Sequence, residues 1–112
     1  MKPLQGLTIL DLSRVLACPF ASMILAELGA RVIKVEQPGT GDETRTFEPQ
    51  LARDSAYYFA CNRSKASITV NLRSAEGQDI VTYAGRFPDN LFTGKPETIQ
   101  ALKDAIRRQQ GR

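Results

Sequence analysis

The sequence predicts an α/β domain in which a parallel sheet carries flanking helices. Two short apolar segments, LTILDL (7–12) and RVIKVE (31–36), bracket a stretch with helical spacing, VLACPFASMILAELGA. A third strand-like run, ASITVNL (66–72), is followed by a second helical pattern. Strand, helix and strand in that order form a βαβ unit, whose strands run parallel through a right-handed crossover.

Each element has a local cause. Leu7 to Leu12 follows Gly6 and is short and mostly apolar, as a buried strand should be. Pro19 suits the first turn of the next helix, where its missing N–H costs little. Phe20, Met23, Ile24 and Leu28 recur at helical spacing, and Gly29 supplies the stop. In RVIKVE, Val32, Ile33 and Val35 are the apolar positions. Gln37 to Arg53 reads as a long surface loop opening on QPGTG, and loops of that length are often functional. SAYYFACN (55–62) is aromatic and fits strand or helix. Ser74 caps a short helix to Ala84, with Glu76 in its first turn and Ile80, Val81 and Ala84 on its apolar face. GRFPDNLFTGK is turn-rich around one short strand. Pro96 to Gln109 is an amphipathic helix with Ile99, Leu102, Ala105 and Ile106 on one side.

Composition limits the function classes. With 112 residues, 42% hydrophobic and 24% charged, the chain fits one small globular domain. The formal charge of +3 comes from Arg107, Arg108 and Arg112; the body before them is balanced. A neutral body argues against nucleic acid as a partner, since that needs a basic face. The absence of histidine removes imidazole catalysis and imidazole metal ligands. Cys18 and Cys61 match neither a metal spacing nor a CxxC pattern, so no metal is expected. No run approaches the about 18 apolar residues of a membrane span, and the N-terminus is a poor signal peptide. The expectation is a cytoplasmic protein with reduced thiols, away from the membrane.

Open α/β sheets bind ligands beyond the carboxyl ends of their strands, here around Asp11 to Phe20. The turn reads SRVLACP, without the glycines of a dinucleotide fingerprint, and no Walker loop occurs. Asp11 is either a catalytic carboxylate or, as strand-end acids more often are, a ligand for nearby backbone N–H groups. Arg14 is a phosphate clamp or an exposed arginine with a packed stem. Cys18 lacks a basic partner and reads as a small buried hydrophobe, as does Cys61. Asp42, Glu43, Thr44 and Arg45 follow Gly39 and Gly41, which permit a sharp turn; they form an anion-binding turn or, the blander alternative, a solvated loop. Arg14, Arg63, Lys65 and Arg73 line one anionic groove if their strands are neighbours.

Residues 3–45, PLQGLTILDLSRVLACPFASMILAELGARVIKVEQPGTGDETR, and 55–77, SAYYFACNRSKASITVNLRSAEG, together carry a longer pattern. It resembles the N-terminal segment of the family III CoA-transferases, the CaiB/BaiF and formyl-CoA transferase group. The likeness runs from about Pro3 to Val81. It implies a Rossmann-like α/β fold, CoA or an acyl-CoA as ligand, and transfer of CoA from an acyl-CoA to a free carboxylate. It also implies long chains interlocked as rings, hence a homodimer or a partner chain. By the same resemblance the turn at Val15, Leu16 and Ala17 approaches CoA, Gln37 stands on its adenine or phosphate side, and Val70, Asn71, Leu72 and Arg73 line its nucleotide end.

The departures from that pattern matter as well. Cys18 stands where glycine is usual, Asn71 replaces a common aspartate, and Arg73 replaces a lysine. The likeness ends near Val81, which divides the chain into a CoA-transferase-like segment, 1–84, and a divergent turn and amphipathic helix, 85–112. The family's catalytic aspartate lies in a later segment. Asp79, Asp89 and Asp104 do not sit in its context, so no catalytic residue is assigned. The expectation is a truncated transferase, inactive alone, or alternatively a non-catalytic CoA-binding or protein-interaction module.

Overall fold

The computed structural model describes residues 1–85 and 90–93. The expected helix over 96–109 and the basic tail lie outside the described residues. Strands β1 (Thr8–Asp11), β2 (Arg31–Glu36), β5 (Lys65–Thr69) and β6 (Asn90–Thr93) form one sheet in the order β5-β2-β1-β6. Every pairing in it is parallel. The chain steps outward from β1 through β2 to β5, then returns to lay β6 on the free flank of β1. Helices α1 (Ala17–Glu27), α2 (Ala56–Asn62) and α3 (Ala75–Gly85) complete the α/β fold.

The β1–β2 centre of the sheet is buried on both faces, as parallel sheets are, while the edge strand β5 is largely exposed. Ile9 and Val32 pack with Ala26 and Ala30 beside α1. Leu10, Val35 and Val70 pack with Val81 of α3 on the opposite face. Neighbouring residues of a strand point to opposite faces. Asp11 therefore shares a face with Ile9, and Lys34 and Glu36 share one with Val32.

Helix α1 ends as the sequence predicts. Gly29 adopts φ +107°, its N–H reaches Ala26 O at 3.0 Å, and the Ala30 N–H reaches Leu25 O at 3.1 Å. The helix does not bury the face its hydrophobicity suggests. Pro19, Ser22, Met23 and Ala26 turn inward. Leu16, Phe20, Ile24 and Leu28 remain 42–51% exposed along the other side. Close helix-to-sheet packing takes the small residues, and Ser22 is needed there to donate to Asp11. Phe20 and Ile24 instead border an open apolar groove of about 580 Å³ that runs to Tyr57 and Cys61 of α2.

The loop after β2 has more structure than expected. It holds a 3-10 turn, Glu43–Thr46, and two short antiparallel strands, β3 (Gln50–Leu51) and β4 (Asp54–Ser55). The ambiguous SAYYFACN is helical, capped by Ser55, whose hydroxyl accepts from the Tyr58 N–H at 3.1 Å. Ser74 caps α3 as predicted, accepting from the Gly77 N–H at 3.0 Å.

Candidate functional site

A cleft of about 660 Å³ opens beyond the carboxyl ends of β1 and β2. One wall is the turn from Leu12 to Cys18. Gln37, Gly41 and Asp42 face it from the loop after β2, and Leu72 closes the third side. The turn is tight because Val15 adopts φ +73°, a left-handed conformation that β-branched residues seldom accept.

Of the residues assigned by resemblance, Val15, Leu16, Ala17, Gln37 and Leu72 line this cleft. Val70 does not; it is 7% exposed, packed in the core with Leu10 and Val81. Asn71 and Arg73 are exposed and are not among the lining residues. The Asn71 side chain accepts from the Arg73 N–H at 3.0 Å, which shapes the start of the β5–α3 connection.

Cys18 is exposed on the rim, contrary to its expected burial, because the first turn of α1 directs Pro19 inward instead. Cys61 is buried at 4% exposure. The four cations do not converge on one groove. Lys65 is consumed beneath the sheet by Asp11, Arg63 pairs with Glu27 at 3.3 Å, and Arg73 is exposed and does not line the cleft. Arg14 lines the cleft and meets Glu43 at 3.5 Å in an exposed pair, which contributes little to stability.

Under the cleft lies a layer of buried charge that the sequence reading missed. Asp11 accepts from the Ser13 N–H at 2.8 Å, from both the Ser13 and Ser22 hydroxyls, and from Lys65 Nζ at 3.0 Å. Lys65 also donates to Pro19 O at 2.8 Å and to Asn62 Oδ1 at 2.9 Å. Burial raises the Asp11 carboxyl, yet the two serines and the Lys65 charge outweigh it and hold it below its ordinary range. Burial likewise draws the Lys65 ammonium down, against the pull of Asp11. Asp11 is therefore structural, as strand-end acids usually are. The signal for this layer was present: alternation in RVIKVE puts Lys34 and Glu36 in line with Val32.

The polar loop is only partly solvated: Glu43 is exposed, whereas Asp42 and Thr44 turn inward. Asp42 and Thr44 are 2% and 1% exposed. Lys34 Nζ stands 2.7 Å from Asp42 Oδ2. Asp42 Oδ1 accepts from the Thr44 N–H at 3.0 Å. Arg45 clasps Glu36 through its Nε at 2.9 Å and its Nη2 at 2.6 Å, meets Asp54 at 2.9 Å, and stacks 3.8 Å over the Tyr58 ring. Ser67 of β5 donates to Glu36 as well. Burial would raise the Glu36 carboxyl, but bonds from Arg45 and Ser67 prevail and take it from 4.5 down to about 2. Burial, then the Glu36 charge, pushes the Tyr58 hydroxyl up to about 12.

A depressed folded-state pKa makes Glu36 stabilising above its unfolded value. That contribution drains away as pH falls from about 4.5 to about 2, with Asp11 and Asp42 shifted in the same direction. In urea unfolding followed by circular dichroism, Glu36→Gln lowers stability at neutral pH and flattens its pH slope across that window. An unchanged slope would show that Glu36 does not drive the acid transition.

The family description CoA-transferase family III matches residues 4–83. The chain belongs to that family. It is 48% identical over 100 residues to the human succinyl-CoA:glutarate CoA-transferase, covering 85% of this chain and 23% of that protein. It is 49% identical over 71 residues to an acetyl-CoA:oxalate CoA-transferase of Acetobacter aceti, covering 63% of this chain and 18% of that one. A CaiB/BaiF family protein from Brucella suis superposes with a TM-score of 0.79 at 36% identity, over 96% of this chain and 30% of that one. The chain spans about a quarter of the length of the curated relatives it matches. The family relationship and the parallel α/β sheet with flanking helices are thus established together. Among the described residues of this family III chain, no helix is long and apolar enough to cross a membrane, and no cluster of three His, Cys, Asp or Glu residues could hold a metal.

Proposed function

We propose that the chain forms the coenzyme A side of a family III CoA-transferase and does not turn over alone. What supports the reading is the cleft beyond β1 and β2, walled by the Val15–Ala17 turn and by Gln37. Such a position is where open α/β sheets take nucleotide ligands. Arg14 on the wall supplies a cation for a phosphate, and Gln37 a neutral amide for the adenine side. Val70, Asn71 and Arg73 then act behind the wall, by holding Leu72 in place, rather than by touching CoA.

Turnover needs a carboxylate free to take the acyl group and then CoA. The two carboxylates lining the cleft are both committed, Glu36 to Arg45 and Asp42 to Lys34. The acyl-carrying carboxylate therefore comes from residues other than these. The proposed location is cytoplasmic, consistent with two free thiols. A second reading, a non-catalytic binding or interaction module, is favoured by one observation: the exposed stripe of Leu16, Phe20, Ile24 and Leu28 suits a second copy or a partner chain.

Isothermal titration of the purified chain with CoA, beside an assay of CoA transfer from succinyl-CoA to glutarate, separates these readings. The expected result is saturable binding without transfer. Transfer above background would overturn inactivity. Failure to bind CoA, in a chain that self-associates, would favour the interaction module.

A further inference from the structure

Val15, Ala52 and Ser64 are non-glycine residues at positive φ among the described residues, and Val15 is the β-branched one. Its φ of +73° places it where a branched Cβ crowds the backbone. Strain of this kind persists only when the surroundings over-determine it, and it gathers at ligand sites.

The surroundings of Val15 are specific. Its N–H donates to Asp42 Oδ1 at 3.3 Å. Two residues earlier, Ser13 O accepts from Lys34 Nζ at 3.2 Å. Lys34 and Asp42 are joined at 2.7 Å, and each side chain is 1% exposed. The turn is therefore gripped at both ends by one buried ion pair, Lys34 from β2 and Asp42 from the loop beyond it. Asp42 is itself fixed, since its own N–H donates to Glu36 Oε1 at 2.9 Å and its Oδ1 accepts from the Thr44 N–H and hydroxyl. A buried pair is a weak source of net stability, because desolvation of both charges offsets their attraction. Its place beneath a strained turn gives it a geometric task.

We propose that the Lys34–Asp42 pair is a positioning device that holds the Val15 turn, and with it the wall of the cleft, in the shape that receives CoA before CoA arrives. The part that concerns CoA rests on the proposed function; the part that concerns the turn does not.

Two measurements on the 112-residue chain test it. Amide hydrogen exchange by NMR, without CoA, reads the grip directly. The Val15 N–H is protected in the parent, and K34M/D42A, which removes both charges together, exchanges it at least about tenfold faster while Leu10 and Val32 keep their protection. CoA affinity reads the consequence. K34M/D42A weakens CoA about tenfold, and the same pair of changes made in V15G, where the turn carries no strain, weakens it about threefold or less. A scaffold role alone would give equal losses in both backgrounds and would move the core amides too; that result overturns the proposal. If K34M/D42A does not fold, the parent decides, because a Val15 N–H exchanging at the rate of an open amide overturns it as well. A parent that ignores CoA defeats the CoA reading, and the exchange comparison still decides the role of the pair.

Discussion

Lys65→Met lowers the stability of the chain by about 3–5 kcal/mol, as breaking a buried pair from one side does. Small domains hold only about 5 kcal/mol or a little more in reserve, so the variant keeps little margin and up to about half of it is unfolded at room temperature. The Lys65 side chain is 1% exposed and satisfies three acceptors, from β1, the start of α1 and the end of α2. Methionine preserves the stem but leaves Asp11 charged, at 0% exposure, with only its serine donors. Adding Asp11→Asn removes that stranded charge, keeps one acceptor for Ser13 and turns an amide N–H toward the Ser22 hydroxyl, which can rotate to accept it. The double variant regains a substantial part of the loss in urea unfolding monitored by circular dichroism. A single variant costing less than about 1 kcal/mol would mean that water or a shifted side chain compensates Asp11.

Gly77→Ala is the second large effect, and its sign opposes the local rule. In a helix, alanine is favoured over glycine by about 1 kcal/mol. At Gly77 a Cβ would lie 1.9 Å from Asn71 O and 2.7 Å from Asn71 C. Both are backbone atoms and cannot swing aside. The first turn of α3 or the connection from Asn71 to Ser74 must move, at a cost of about 1–3 kcal/mol or more for overpacking. Leu72 sits in that connection and closes the cleft, so CoA affinity falls with stability. A variant at least as stable as the parent would show that α3 can shift freely on the sheet.

The sequence made the framework readable because each element carried a local signature. LTILDL and RVIKVE are strands on composition alone, Gly29 stops α1, and Ser74 caps α3. The resemblance over Pro3–Val81 then pointed to the family and to the turn at Val15. Properties set by distant partners were not readable. Lys65 and Asp11 are far apart in the chain, and only the β5-β2-β1 order brings them together. The same holds for Arg45, whose fate depends on Glu36, Asp54 and Tyr58 at once. Hydrophobic spacing misled at α1, where Ser22 is inside and Phe20 outside, because a polar layer beneath the helix selects small hydrogen-bonding residues. Cys18 was misplaced for a related reason: helix phase, not hydrophobicity, decides which residue of the first turn reaches the core. The loop over 37–53 looked solvated because its charges are numerous, yet each buried one has an opposite charge waiting in β2.

The position of β1 between β2 and β6 bears on biosynthesis. Thr8–Asp11 is synthesised before both of its neighbours, and β2 follows it after a single helix. The other neighbour, Asn90–Thr93, follows β2, β5 and helices α1 to α3 in chain order. Pairings between such remote segments form slowly, and open strand edges invite association with other chains meanwhile. β1 is thus paired on both sides only after Asn90–Thr93 is made, and a nascent chain halted before Asn90 presents it with one flank bare.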